Sequence, residues 1–171
     1  VAELFLAGII TTDGVISNRS GSSRVVANER TFSYRLWDDP VIEITQNDER
    51  AIQLAKAALH AGCRLLKDRL GVETVDSIRL AGAFGTHIDP VHALVLGMVP
   101  DVDPDRVTAA GNAAGIGAMM ALLSGNSRDE IERVARTIEK VETATEASFQ
   151  EHFVAAMGLP LVVGLSRKSI I

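Results

Sequence analysis

Cysteine is nearly missing from this sequence: Cys63 is the only one in 171 residues. An intramolecular disulfide is therefore excluded, as is an iron–sulfur cluster held by cysteines of this chain alone. The neighbours of Cys63, from Leu59 to Leu66, predict an ordinary buried thiol. Aromatic residues make up only 4% of the chain, so Ala, Val, Leu and Ile supply most of the apolar mass. That composition suits helices packed closely on a sheet better than an aromatic-lined groove. No apolar run approaches the ~18 residues of a membrane span, and no basic-then-apolar leader opens the chain. A soluble, cytoplasmic protein is expected. Positive charge is scarce too: 17 Lys and Arg face 22 Asp and Glu, a formal net charge of −5. Without a basic cluster to offset it, a nucleic-acid partner is not expected. Common catalytic signatures are also absent: there is no Gly-x-Ser-x-Gly, no Gly-x-Gly-x-x-Gly and no Gly-x-x-x-x-Gly-Lys-Ser/Thr.

What is present builds a core. Hydrophobic residues reach 47%, enough for one domain, and the start at Val1 rather than Met suits a piece of a longer protein. Val1 to Leu6 reads as the end of a helix stopped at Gly8, and Thr12-Asp13-Gly14 as a turn. Ser17 to Ser23 is a flexible loop by composition. Phe32 to Trp37 and Val41 to Ile44 predict a hairpin around Asp38-Asp39-Pro40. A long helix opens at Thr45, with Thr45 and Asp48 as a capping box and Gly71 as its end. Its stripe of Ile52, Ala55, Leu59, Cys63, Leu66 and Leu70 is expected to face the core.

Strands and helices then alternate. Ser77 to Ala81 predicts a strand, and Asp89-Pro90 caps a helix that ends near Gly97. Pro100 to Pro104 is a loop, Val107 to Ala110 a strand, and Asn112 to Leu123 an alanine-rich helix. A capping box at Ser127 and Glu130 would start a helix lined by Ile131, Val134, Ala135 and Ile138. Val141 to Thr145 reads as an edge strand, and Phe149, Phe153 and Met157 as one face of a last helix. The alternation predicts a mostly parallel sheet with helices on its faces.

Two stretches share one grammar of strand, glycine-rich turn and helix: Leu80 to Gly85 and Ala110 to Gly117. In an α/β sheet, ligands collect at the carboxyl ends of strands. Glycine lets a ring or phosphate approach the main chain, and a following helix N-terminus offers free N–H groups. The competing explanation is packing: Gly82 and Gly85 would only turn the chain, and Gly115 and Gly117 would only let a helix lie close. His87, Asp89 and His92 raise a metal question, which the need for an N-cap at Asp89 answers more simply. Asp101, Asp103 and Asp105 alternate like calcium ligands but lack the glycine and terminal Glu of such a loop.

Three runs in this order carry a resemblance: ITQNDERAIQLAKAALHAGCRLL, IRLAGAFGTHIDPVHALVLGMVPD and VTAAGNAAGIGAMMALLS. Over residues 1–160 the chain resembles the C-terminal domain of the reductive activators of corrinoid proteins. The resemblance implies an α/β, actin-like and ribonuclease H-like half-domain: a mixed sheet with helices on both faces, of the acetate kinase, sugar kinase, heat-shock chaperone and actin superfamily. It implies ATP with Mg in the whole protein, and a [2Fe–2S] cluster only in a missing N-terminal part. Electrons would pass from that cluster to the Co(II) corrinoid of a partner protein in a methyltransferase system. The implied nucleotide contacts are Gly82, Ala83, Phe84 and Gly85, then Gly111 and Asn112. No catalytic residue and no metal ligand follow from it, and this chain alone would be inactive. A second copy of the chain is a further candidate partner. Two other readings stay open: a dimerisation or partner-binding module without nucleotide, and an activator of 2-hydroxyacyl-CoA dehydratases. Residues 161–171 match no part of the pattern.

Overall fold

The computed structural model describes residues 1–82, 85 and 87–159. Helix α1 (Ala2–Leu6) leads through a turn region into an antiparallel sheet of β1 (Val25–Asn28), β2 (Thr31–Asp38) and β3 (Val41–Ile44). There follow α2 (Gln46–Leu70), β4 (Ile78–Ala81), α3 (Pro90–Leu96), β5 (Val107–Gly111), α4 (Ala113–Leu123), α5 (Gly125–Ala135) and α6 (Ala147–Ala155). Strands β4 and β5 pair in parallel, with Ile78 opposite Val107 and Ala81 opposite Gly111. The expected mostly parallel sheet is thus corrected: among the described residues three strands are antiparallel and two parallel. The tail at 161–171 lies outside the described residues.

The predicted hairpin is the β2–β3 pair. Strand β1 went unpredicted because its turn to β2, Glu29-Arg30, lacks the Asn-Gly or Asp-Gly signal such turns usually carry. Helix α2 starts as the sequence dictates: the Asp48 N–H donates to Thr45 Oγ1 (3.2 Å) and the Thr45 N–H to Asp48 Oδ2 (2.8 Å). It ends at Gly71, whose φ of +64° is the left-handed stop. Helix α3 is also as expected, with the His92 N–H donating to Asp89 Oδ1 (2.9 Å), Pro90 in its first turn and Gly97 at its end.

Three expectations after β5 are corrected. Helix α5 begins at Gly125, because Ser124 Oγ accepts from the Ser127 N–H (3.2 Å); Ser127 is inside the helix rather than its cap. Ile131, Val134 and Ile138 are exposed, and Ile138 lies beyond the helix end. Residues 143–145 form a 3-10 turn, not an edge strand. On α6 the rings of Phe149 and Phe153 stack with centroids 6.3 Å apart, but Met157, expected on the same helix face, lies beyond its end at Ala155.

The core forms two clusters bridged by α3. Val95 and Leu96 join Leu4, Phe5, Ile10 and Ile16, while Ala93 and Leu94 join Val99 and Val107 under Ile78 and Leu80. The seven-residue α3 buries four consecutive side chains, which a helix achieves only when it is covered on several sides.

Helix α2 contradicts the sequence reading most sharply. The expected stripe is largely on the outside: Leu59 is 47% and Leu66 48% exposed, Ile52, Ala55 and Leu70 are exposed, and Cys63 is half-buried. The face turned inward is Glu49, Gln53, Lys56, Ala57, Ala61 and Leu65. Its polar half meets loop backbone at 13–16 and 157–158, whose carbonyls have no ladder to join. Buried carbonyls require donors, and glutamine and lysine side chains supply them.

Candidate functional site

Strands β4 and β5 end side by side, so the two glycine turns predicted separately meet. The Gly82 N–H donates to the Gly111 carbonyl oxygen (2.9 Å), closing the carboxyl edge of the parallel pair. Both residues have positive φ, +101° at Gly82 and +63° at Gly111. Among the described residues, a Cβ built on either would meet no protein atom within 4 Å. Space beside a bare main chain at this edge is what a flat ligand needs.

Gly85 differs. A Cβ there would lie 2.8 Å from the Leu80 carbonyl carbon and oxygen, and the Gly85 N–H returns to the Gly82 carbonyl oxygen (3.1 Å). Gly82 and Gly111 border open space, whereas Gly85 is required by packing. Ala83 and Phe84 lie outside the described residues. Asn112 caps α4, its Oδ1 accepting from the Gly115 N–H (2.9 Å), so its side chain is already engaged. A Cβ on Gly115 would meet that Asn112 side chain, while one on Gly117 meets nothing, so the close-packing role foreseen for Gly117 is not seen among the described residues.

The other candidates resolve into local structure. His92 Nε2 lies 2.7 Å from Glu3 Oε1 while Asp89 caps α3. Asp103 Oδ1 accepts from the Asp105 N–H (3.0 Å), capping the 3-10 turn at Pro104–Arg106. Among the described residues no three His, Cys, Asp or Glu side chains gather as metal ligands. Burial pushes the Cys63 thiol above its ordinary range, with Lys67 pulling weakly the other way, so the thiolate a cluster needs is disfavoured. No described helix is long and apolar enough to cross a membrane.

Sequence reasoning missed a polar clasp on α2. Gln46 Oε1 accepts from the Ile16 N–H (2.9 Å), and its Nε2 donates to the Gly14 carbonyl oxygen (2.6 Å). Gln53 Nε2 donates to the carbonyls of Asp13 (3.2 Å) and Met157 (3.0 Å), and Lys56 Nζ to that of Gly158. The Leu159 N–H donates to the Thr12 carbonyl oxygen (2.7 Å), joining the two clasped stretches directly. The signal was present: Gln46, Glu49, Gln53 and Lys56 recur at three- and four-residue steps on one helix face. A polar stripe at that spacing ordinarily faces solvent, and sequence alone does not show that loop carbonyls cover it.

Known proteins resemble most of the chain. A family model described as the C-terminal domain of RACo, the ASKHA domain, matches residues 1–164. A corrinoid activation enzyme of Eubacterium limosum, RamQ, is 40% identical over 115 residues, which are 66% of this chain and 19% of that protein. A solved structure of a reductive activator for a corrinoid, iron-sulfur protein is 30% identical with a TM-score of 0.83, covering 93% of this chain and 27% of that one. The chain thus spans about a fifth to a quarter of these relatives. It belongs to the family of the C-terminal, ASKHA-type domain of the reductive activators of corrinoid proteins.

Proposed function

We propose that this chain, over residues 1–160, is the nucleotide-contacting C-terminal portion of a longer ATP-dependent activator. That activator returns the corrinoid cofactor of a methyltransferase system from Co(II) to Co(I). The observation that carries the reading is the junction of Gly82 and Gly111 at the carboxyl edge of β4 and β5, bare toward open space. There the main chain would accept the adenosine of ATP·Mg, with Gly82 and Gly111 as the close-approach points; Ala83 and Phe84 stay among the proposed contacts on the family resemblance alone. Gly85 and Asn112 act by holding the turn and the first turn of α4 in place.

The half-buried Cys63 does not fit a [2Fe–2S] cluster, which we assign to the part of the protein upstream of this chain. Reduction to Co(I) is uphill. A bound nucleotide favours the electron-transferring conformation only by its differential affinity for that state. The role of this domain is to supply that difference, and the partner is the corrinoid protein itself.

Helix α4 favours a second reading. Ile116, Met119, Met120, Leu122 and Leu123 are all exposed on a helix of almost wholly apolar composition, which suits a dimerisation or partner-binding surface. The two readings separate in one assay on the intact protein, reduced and mixed with its corrinoid protein. The absorption of Co(I) is expected to appear with ATP and not without it. Equal rates with and without ATP would overturn the nucleotide reading and leave the binding module.

A further inference from the structure

The clasp on α2 holds an ionisable group that neither nucleotide contact nor corrinoid activation calls for. Glu49 has no accessible surface. Among the described residues its Oε1 has no hydrogen-bond partner, and its Oε2 accepts only from Gln46 Nε2, at 3.3 Å. The same Gln46 NH2 group makes its shorter bond, 2.6 Å, to the Gly14 carbonyl. A carboxylate has about four lone-pair sites to satisfy and a charge to balance, so this is a poor place for one. Lys56, two turns along the same face and 1% exposed, donates to the Gly158 carbonyl rather than to Glu49.

We propose that Glu49 is a neutral carboxylic acid in the folded domain, and that its ionisation loosens the clasp between the 12–16 turn and the 157–159 segment, making the clasp a pH-sensitive latch. The charged groups facing Glu49 are few. Its own helix offers Lys56 and Arg50, and Arg50 Nη1 donates to Gln53 Oε1 (2.8 Å). The 12–16 turn offers Asp13, whose side chain is exposed, and the 157–159 segment has no titratable side chain. On β2, Arg35 is held by Glu43 (2.9 Å).

Burial pushes the Glu49 carboxyl from 4.5 up to about 7, with Arg50 and Lys56 pulling only part of the way back. Burial likewise brings the Lys56 ammonium from 10.5 down to about 8, opposed by Glu49. The signs follow by linkage. A carboxyl raised in the closed state makes the clasp firmest below its open-state value, and the clasp weakens as pH rises from 4.5 through about 7. A lysine lowered in the closed state works the other way, restoring firmness as pH rises from about 8 through 10.5. The clasp is therefore weakest between about 7 and about 8.

The test is hydrogen exchange on the intact protein, read as protection factors so that the intrinsic pH dependence of exchange cancels. Amides of Ile16 and Leu159 report the two ends of the clasp. Between about pH 5.5 and about pH 8 their protection should fall on the order of tenfold, and Glu49→Gln should abolish that fall. Unchanged protection in the parent protein, or the same fall in Glu49→Gln, would overturn the proposal. A second measurement needs no variant to fold. With carboxyl-labelled glutamate, one side-chain resonance should titrate near neutrality, and a full set titrating in the ordinary acidic range would equally overturn it.

Discussion

Leu94→Ala is expected to destabilise the domain by about 2–5 kcal/mol, the range for truncating a buried leucine. Leu94 is 1% exposed and sits where α3 meets β4 and β5, against Ala93, Val99 and Val107. Three of its neighbours, Ala93, Val107 and Val99, belong to a helix, a strand and the loop between them. No single element can shift to fill the space without moving the others, and a cavity that cannot collapse costs most. Leu59→Ala and Leu66→Ala supply the contrast. Both leucines are roughly half exposed on α2. Each truncation should therefore cost less than about 1 kcal/mol, since only part of the transfer term is lost and no closed cavity forms. Denaturant melts of the three variants check the order. A smaller loss for Leu94→Ala than for either α2 variant would mean that the inward face of α2 is misassigned.

Gly85→Val should be the most damaging change near the candidate site, and the damage should be to folding. Even the first carbon of a side chain would lie 2.8 Å from the Leu80 carbonyl group and 3.0 Å from the Ala81 oxygen. Those atoms are main chain in β4, so relief requires the strand itself to move and to disturb its pairing with β5. We expect a loss of about 3 kcal/mol or more, above the usual cost of overpacking, because backbone rather than a rotatable side chain must yield. A melting temperature within about 2 °C of the parent would contradict this. Packing and ligand surface therefore divide this turn between them: Gly85 packs, and Gly82 borders open space among the described residues.

How far the sequence could be read depended on whether the cause was local. The Thr45–Asp48 box, the Asp89-Pro90 start and the stops at Gly71 and Gly97 are set by a few neighbouring atoms, and all four stand. The two glycine turns were legible too, because strand-turn-helix grammar is local; that they touch at Gly82 and Gly111 was not, since only strand pairing brings them together. Burial was the weakest inference. Period alone shows that α2 has an apolar stripe at Leu59 and Leu66, but not which side of the helix the rest of the chain covers. Here the inner side is polar because the loops at 13–14 and 157–158 bring unpaired carbonyls to it. The apolar stripe of α2 and the almost wholly apolar α4 are exposed among the described residues, and the relatives are several times longer.

On the proposed function, adenosine lies against the main chain where β4 and β5 end. Gly111→Asn tests it with least disturbance to the fold. At φ +63° asparagine is the side chain best tolerated after glycine, and its Cβ would meet no protein atom among the described residues. The side chain would instead occupy the space assigned to the nucleotide. Calorimetric titration of ATP into the intact protein, beside a thermal melt of the same samples, is the measurement. The variant is expected to melt close to the parent and to bind ATP at least about tenfold more weakly, a loss of about 1.4 kcal/mol. A folded variant that binds ATP as tightly as the parent would contradict it.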